Sequence, residues 1–193
     1  MNGKRTAVIF AGGRSSRFGS NKVFARIERL SLIERTIASC EAARCMVFLS
    51  GPANLLDRYG YPVIEDRNPF EGPLAALAGA LERIDADHLL ALACDMPLPS
   101  PTLIDELWKM RMHADIVWYR SPTEASPLPG LYARTALATM KTLLQEKKRS
   151  LRCLAETDRS LHEIVLKKSF WNINTPSDLK EYIHELRSPT SAC

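Results

Sequence analysis

A loop that combines glycines with basic side chains follows the first apolar segment of the chain. It contains the adjacent glycines Gly12 and Gly13, and Arg17 and Lys22 follow in the same loop. Adjacent glycines let the main chain approach a ligand closely and point successive N–H groups at anionic oxygens. The basic side chains add positive charge, and arginine can bind a phosphate with two parallel hydrogen bonds. The loop therefore predicts a site for a triphosphate.

The spacing within this loop differs from that of the two common glycine-rich nucleotide loops. A P-loop has four residues between its glycines and a lysine directly after the second. Here five residues separate Gly13 from Gly19, and Lys22 comes three positions later. The G-x-G-x-x-G dinucleotide pattern is absent too. A plain surface connection is the alternative, but it would not need Arg17 and Lys22 directly after a buried strand.

A single carboxylate ends another apolar segment, residues 88–93, which is followed by Cys94 and Asp95. Mg²⁺ prefers oxygen ligands and commonly uses one or two carboxylates together with substrate phosphates. Asp95 is therefore predicted to bind Mg²⁺, and the alternative is a turn or helix-capping aspartate. Cys94 is predicted to be a small buried apolar side chain.

Alternating strands and helices are predicted to position these loops. The predicted strands are residues 6–10, 46–49, 62–64, 88–93, 115–119 and 162–166, and the predicted helices are 31–41, 73–84, 101–112, 135–147, 150–157 and a last one from 176. Residues 122–129 are predicted to be a proline-rich connection. This order predicts an α/β fold with a mainly parallel sheet, whose ligands bind beyond the carboxyl ends of the strands.

Composition and length predict one globular domain over residues 1–187 with a disordered tail at 188–193. Hydrophobic residues make up 46 % of the chain and no apolar run approaches the length of a membrane span, so no membrane association is expected. The apolar run near the start is too short for a signal peptide, which predicts a cytoplasmic protein. Five cysteines without C-x-x-C spacing argue against a zinc site or a disulfide framework.

Positive charge is concentrated in the last third of the chain. The net charge is +4, and residues 134–168 alone contain nine basic and four acidic residues. Such a region favours an anionic ligand, and a solvated basic helix face is the alternative. No zinc-finger spacing or aromatic RNA-binding motif is present, so a nucleic-acid partner is not expected.

The pattern A-G-G-x-x-x-R-x-x-x-x-K at residues 11–22 resembles the signature of the superfamily of sugar-phosphate nucleotidyltransferases. More closely, it resembles the MobA-like molybdenum cofactor guanylyltransferases. The resemblance implies that Arg17 and Lys22 bind phosphates and act in catalysis. It also implies a main-chain seat for the nucleotide, formed by Phe10, Ala11, Gly12 and Gly13. Related cytidylyltransferases usually read A-A-G where this chain has A-G-G, which favours guanine.

Further segments extend the resemblance towards the nucleoside. Asp66 matches an acid that contacts the base or ribose, and Gly72 begins a segment similar to the family's G-P-L-A-G, with Ala76 where many members have glycine. Ser50 is the nearest match to a polar residue after the second strand. The Asp-Met-Pro triplet at Asp95 resembles the family's magnesium motif. The resemblance therefore implies that Asp95 is a metal ligand and also a nucleotide-binding residue.

The C-terminal part resembles the acceptor side of the family. Residues 172–179 are similar to N-x-N-T-P-E-D-L, and Asn172 and Asn174 face the same side of an extended segment. The resemblance implies that they point at the metal and the acceptor phosphate, and a turn with a capped helix is the alternative. Three aromatic residues, Trp118, Tyr132 and Trp171, either stack on a pterin or pack in the core, and core packing is favoured.

The resemblance covers residues 5–183 and implies a three-layer α/β/α Rossmann-like nucleotidyltransferase fold. The implied reaction transfers GMP from GTP to a molybdopterin-type cofactor, with Mg²⁺ as the metal. The alternatives are CTP as donor, a sugar phosphate as acceptor, or a nucleotide-binding module without catalysis. Contact with molybdoenzyme maturation proteins is also implied, and a monomer and a homo-oligomer both remain open.

Overall fold

A computed structural model describes residues 4–12, 22–65, 72–96, 100–157, 160–167 and 169–187. Its strands are β1 (Thr6–Phe10), β2 (Arg26–Ile27), β3 (Leu30–Ser31), β4 (Met46–Ser50), β5 (Val63–Ile64), β6 (His88–Ala93), β7 (Ile116–Arg120), β8 (Ala125–Ala133) and β9 (Leu161–Val165). Its α-helices are α1 (Leu32–Ala42), α2 (Ala53–Leu56), α3 (Pro73–Arg83), α4 (Pro101–Lys109), α5 (Leu137–Gln145), α6 (Leu154–Thr157) and α7 (Pro176–Arg187). The predicted tail, residues 188–193, lies outside the described residues.

Seven of the described strands form one sheet in the order β5-β4-β1-β6-β8-β7-β9. The pairs β5–β4, β4–β1, β1–β6 and β7–β9 are parallel, and β8 is antiparallel to both of its neighbours. The prediction of a mainly parallel sheet is therefore confirmed. The remaining pair, β2 and β3, forms a separate two-stranded sheet just before α1.

The interior strand β1, between β4 and β6, is buried on both faces, which explains its continuous apolar run. Ala7 and Ile9 pack with buried residues of α1 and α4, whereas Val8 packs with those of α3 and α5. Because neighbouring strand residues point to opposite faces, this alternation places helices on both sides of the sheet. The predicted three-layer arrangement is confirmed.

The predicted proline-rich connection is wrong over most of its length, because residues 125–133 form the strand β8. The register changes between Ser126, which pairs with Tyr119, and Gly130, which pairs with Trp118. Residues 127–129 therefore lie in a bulge, where a proline without an N–H group removes no ladder hydrogen bond. The prolines at 127 and 129 interrupt the pairing of this strand locally but do not end the strand.

Side-chain hydrogen bonds cap the first turns of α1 and α7. At α1, the Ser31 hydroxyl accepts from the Glu34 N–H, and the Glu34 carboxylate accepts from the Ser31 N–H. At α7, the Thr175 hydroxyl accepts from the Asp178 N–H. The predicted helix 135–147 is shorter, since Arg134–Ala136 is a 3-10 turn before α5. Within the described residues, none of the helices combines the length and apolar content needed to cross a bilayer.

Candidate active site

The carboxyl ends of β4, β1 and β6 lie side by side at one edge of the sheet, where β4 ends at Ser50 and is followed by Gly51, β1 is followed by Ala11 and Gly12, and β6 is followed by Cys94 and Asp95. The Ala11 N–H donates to the Ser50 carbonyl at 2.8 Å, and the Cys94 N–H donates to the Phe10 carbonyl at 3.3 Å. These bonds extend the strand pairing past the ends of the strands. The start of the glycine loop is thereby held between Ser50 on one side and the segment of Asp95 on the other.

Gly51 is a residue of this edge that the sequence reasoning did not assign to the site. Its φ is +149°, and a Cβ atom built there would lie 3.0 Å from the Gly12 nitrogen. Both its conformation and its close approach to Gly12 therefore require glycine. A glycine at the end of a strand indicates such a close backbone approach, and this signal is present in the sequence at Gly51.

Three predicted site residues, Lys22, Asp95 and Asn174, form one cluster through contacts of the Lys22 side chain. Its Nζ lies 2.5 Å from the Asp95 Oδ2 and 3.1 Å from the Asn174 Oδ1. The Ile173 N–H also donates to the Asp95 carbonyl at 2.8 Å, so the C-terminal segment is bound to the end of β6. The side chains of Lys22 and Asp95 are only 19 % and 20 % exposed, so salt screens their attraction less than that of a surface pair.

The cap of α7 positions Asn174. The N–H groups of Asn174 and Thr175 both donate to the Asp178 Oδ2 at 2.8 Å. These hydrogen bonds, with that to Asn174 first, lower the pKa of Asp178 below its usual value. The capped turn at Asn174 is confirmed, and its side chain is left to contact Lys22. Its predicted contact with the metal and the acceptor phosphate stays a prediction.

A cavity of ≈ 340 Å³ lies beside Asp95. Asp95 and the exposed Asn172 line it together with residues of β8 and of the segment 150–152. Asn172 and Asn174 thus serve adjacent parts of the site, one at the cavity and the other at Lys22. Trp118 and Tyr132 are fully buried in the core, which confirms the favoured interpretation of these aromatic residues. Trp171 packs edge-on against Tyr182.

Gly72 connects the start of α3 to the basic segment 147–152. Its φ is +92°, and a Cβ atom built there would lie 2.9 Å from the Arg149 carbonyl oxygen. The same carbonyl accepts from the Leu74 N–H at 3.2 Å, in the first turn of α3. Gly72 therefore lets the basic segment lie directly against the helix start. Its predicted contact with the nucleotide stays a prediction.

Comparison with known proteins identifies the family of this site. Residues 7–163 match the family model of the MobA-like NTP transferase domain. The chain belongs to this family. It is therefore a nucleotidyltransferase, as the family resemblance of residues 11–22 and of the segment at Asp95 implied.

Relatives match this nucleotidyltransferase over almost its full length. A probable molybdenum cofactor guanylyltransferase of Clostridium perfringens is 29 % identical, over 93 % of this chain and 96 % of the relative. A probable molybdenum cofactor guanylyltransferase of Pelotomaculum thermopropionicum is 30 % identical, over 90 % of this chain and 89 % of the relative. A crystal structure is known of molybdopterin-guanine dinucleotide biosynthesis protein A from Archaeoglobus fulgidus, whose sequence is 22 % identical. The match covers 94 % of this chain and 98 % of that protein, and the TM-score of 0.79 shows a shared fold.

The donor atoms of this MobA-like site are of the chemical kind that suits a magnesium ion. Among the described residues, no group of three His, Cys, Asp or Glu side chains forms a complete protein cage. Asp95 provides a carboxylate, and Asn172 and Asn174 provide amide oxygens, which are the hard ligands that Mg²⁺ prefers. Burial raises the pKa of the adjacent Cys94 thiol to about 12, so it stays protonated and is a poor metal ligand.

Three predicted site residues of this MobA-like chain lie outside the described residues, namely Gly13, Arg17 and Asp66. Their flanking residues are described: Gly12 precedes the first two, Lys22 follows them, and Glu65 precedes Asp66. The main chain thus enters and leaves the glycine loop at the edge that holds Asp95. The roles of these three residues stay predictions.

Proposed function

We propose that the chain transfers GMP from GTP to the terminal phosphate of a molybdopterin-type cofactor and releases pyrophosphate. The observation that carries the proposal is the contact of Lys22 with Asp95 and Asn174, beside a cavity large enough for part of a second substrate. Two relatives described as probable molybdenum cofactor guanylyltransferases support the choice of guanine and acceptor.

In the proposed reaction, an oxygen of the acceptor phosphate attacks the α-phosphorus of GTP. The new P–O bond forms as the bond between the α-phosphorus and the bridging oxygen breaks, and pyrophosphate leaves with the electron pair. No protein nucleophile is required, since positioning and charge neutralisation account for such transfer. In this proposal Lys22 stabilises negative charge on the departing pyrophosphate, and the family resemblance assigns the same role to Arg17.

Asp95, with Asn172 and Asn174, is the set that would hold Mg²⁺. When bound, the ion supplies positive charge that neutralises phosphate oxygens of donor and acceptor. The Lys22 ammonium already lies against the Asp95 carboxylate, so this position suits a cation electrostatically. The main chain of Phe10, Ala11 and Gly12 would hold the nucleotide, and Ser50, Asp66 and Gly72 belong to the same proposed side.

A turnover screen tests the proposal. Purified protein is given Mg²⁺, the molybdopterin-type cofactor and each of the four NTPs in turn, and pyrophosphate release is measured. GTP is expected to give the highest kcat/KM. Preference for CTP would assign the chain to the cytidylyl-transferring alternative, and turnover with a sugar phosphate instead of the pterin would replace the acceptor.

Thermal unfolding with each NTP and Mg²⁺ adds a test that needs no acceptor. A ligand that binds only the folded state raises Tm, and the shift grows with the logarithm of the ligand concentration relative to Kd. GTP with Mg²⁺ is expected to raise Tm most. Strong GTP binding without pyrophosphate release on any acceptor would support the non-catalytic module, and no Tm shift with any NTP would reject both.

A further inference from the structure

A second ion pair lies on the wall of the cavity that Asp95 lines. The Arg152 guanidinium, from the 3-10 turn Leu151–Cys153, contacts the Glu124 carboxylate, from the turn between β7 and β8. Both residues line the cavity. The contact therefore joins two chain segments at the place where a second substrate would enter.

The pair is exposed enough to exchange partners. The side chains of Arg152 and Glu124 are 54 % and 56 % exposed. Ion pairs of this kind contribute little to folding stability, because water and salt screen them and holding the side chains costs entropy. An incoming anion can therefore replace the Glu124 carboxylate at small cost, whereas a buried pair would resist the exchange.

Arg152 also has a particular place in the charge balance of the cavity. Among the described lining residues it is the only lysine or arginine, and the carboxylates there are Asp95 and Glu124. Lys22 is engaged with Asp95 and Asn174. Within the described lining, an anionic group that enters this cavity therefore finds its cationic partner in Arg152, whose planar fork fits phosphate as it fits carboxylate.

Hydrogen bonds hold the main chain at both Arg152 and Glu124. The Arg152 N–H donates to the Ser150 hydroxyl at 3.2 Å, and the carbonyl of Arg149 is held by α3. On the other side, the Ser121 N–H donates to the Glu124 carbonyl at 2.9 Å, and the Glu124 N–H donates to the Ser121 hydroxyl at 3.2 Å. Exchange of partners thus requires only rotation of side chains.

We infer that Arg152 binds the phosphate ester of the acceptor, and that Glu124 holds the guanidinium at the cavity until the acceptor replaces it. Pro127, Leu128 and Phe170 line the same cavity and provide apolar surface for the organic body of the acceptor. Arg152 is therefore a substrate-binding residue and Glu124 a positioning residue. The inference deepens the proposed function and rests on it for the identity of the acceptor.

Kinetics with the acceptor varied and GTP saturating separate the two roles. Arg152→Ala is expected to raise the acceptor KM about tenfold, because a charge-assisted bidentate contact is lost. The GTP KM should stay within about twofold, since the residue acts on the acceptor only. Arg152→Lys should restore part of the loss through its charge. Glu124→Gln should lower the acceptor KM by about two- to fivefold, because the competing carboxylate is gone.

Opposite effects of the two substitutions distinguish substrate exchange from a structural contact. If the ion pair only held the two segments together, both variants would raise the acceptor KM alike, and that result would overturn the inference. An unchanged acceptor KM in Arg152→Ala would overturn it as well. Lys141 and Glu82 form a matched control, since they are an ion pair between α5 and α3 that does not line the cavity. Lys141→Ala and Glu82→Gln should leave both KM values unchanged.

Calorimetry with phenyl phosphate tests the site without turnover. This probe has a phosphate ester on a flat ring, and wild type and Glu124→Gln are expected to bind it, the variant more tightly. Loss of binding in Arg152→Ala supports the inference, whereas equal binding in all three proteins, or binding in none, overturns it. A wild type that binds phenyl phosphate through Arg152 but releases no pyrophosphate would reject the proposed reaction and retain the anion site.

Discussion

Lys22 and Asp95 are 73 positions apart in the sequence, and their side chains meet with 2.5 Å between Nζ and Oδ2. Lys22 follows the glycine loop, whereas Asp95 follows the strand β6. Their contact joins the predicted triphosphate seat to the predicted metal ligand. The first two predictions concern the two members of this pair.

Lys22→Ala is expected to lower kcat by about 10²-fold or more, which is the range for one lost electrostatic stabiliser of a transition state. The physical reason is the loss of positive charge at the departing pyrophosphate. Pyrophosphate release with saturating GTP and acceptor measures the effect. Lys180→Ala, an exposed lysine of α7, is the matched control and should retain wild-type turnover. Near-normal turnover of the Lys22 variant would remove Lys22 from the mechanism.

Asp95→Asn is expected to lower turnover by a similar factor, about 10²-fold, and to raise the Mg²⁺ concentration needed for half-maximal rate. The amide keeps the shape of the side chain but lacks the negative charge that binds the ion. Chelation with EDTA should abolish wild-type turnover, and added Mg²⁺ should restore it. Asp105→Asn, at an ion pair with Arg5, is the control and should keep the wild-type Mg²⁺ dependence. Full activity in EDTA would contradict the metal role.

Gly72→Ala is expected to destabilise the fold by about 2–3 kcal/mol, because φ = +92° is strained for alanine and the new Cβ meets the Arg149 carbonyl. Substitutions at two other glycines distinguish the cost of backbone strain from the cost of the steric contact. Gly60→Ala, at φ = +74° in open space, should cost about 1 kcal/mol from backbone strain alone. Gly79→Ala, inside α3 with open space around it, should stabilise by about 0.5–1 kcal/mol.

Urea unfolding gives the three free energies under one condition. The expected order of stability is Gly79→Ala, wild type, Gly60→Ala and then Gly72→Ala. Equal losses at Gly60 and Gly72 would show that the contact with Arg149 adds nothing to the backbone strain.

Glu163→Gln is expected to lose stability in a pH-dependent way. The Arg120 guanidinium first, and then the Trp118 indole N–H, hold the pKa of Glu163 below its usual value. A carboxylate with a lowered folded-state pKa stabilises the fold fully above its unfolded value, about 4.3, and this contribution is lost as the pH falls through the folded pKa. The cost of the substitution should therefore be about 1–2 kcal/mol at pH 7.

Measurement of unfolding free energies at pH 7 and pH 3 checks this prediction. The difference between wild type and Glu163→Gln should shrink at the lower pH, since the carboxyl then approaches the neutral state that glutamine mimics. Glu156→Gln, on the exposed side of α6, should show a small difference at both values. A cost at Glu163 that does not change with pH would remove the electrostatic explanation.

Local patterns predicted the secondary structure well where neighbouring residues decide it. The capping box of Ser31 and Glu34 lies within one helical turn, and the strand 88–93 is one continuous apolar run. The strand β8 was missed because its own prolines indicate a turn, while its pairing with β6, which ends at Ala93, depends on a distant part of the chain. A bulge in the ladder cannot be read from the segment that contains it.

The sequence alone determined most of the strands and helices, the glycine loop with its basic residues, and the family resemblance, because each is carried by residues close together along the chain. The tertiary structure decided which distant groups meet: Lys22 with Asp95 and Asn174, Gly72 with Arg149, and Arg152 with Glu124. The physical reason is that such contacts follow from strand order and from helix packing on both faces of the sheet. Strand order and helix packing minimise the free energy of the whole chain, so the residues at any one position do not determine which distant groups meet.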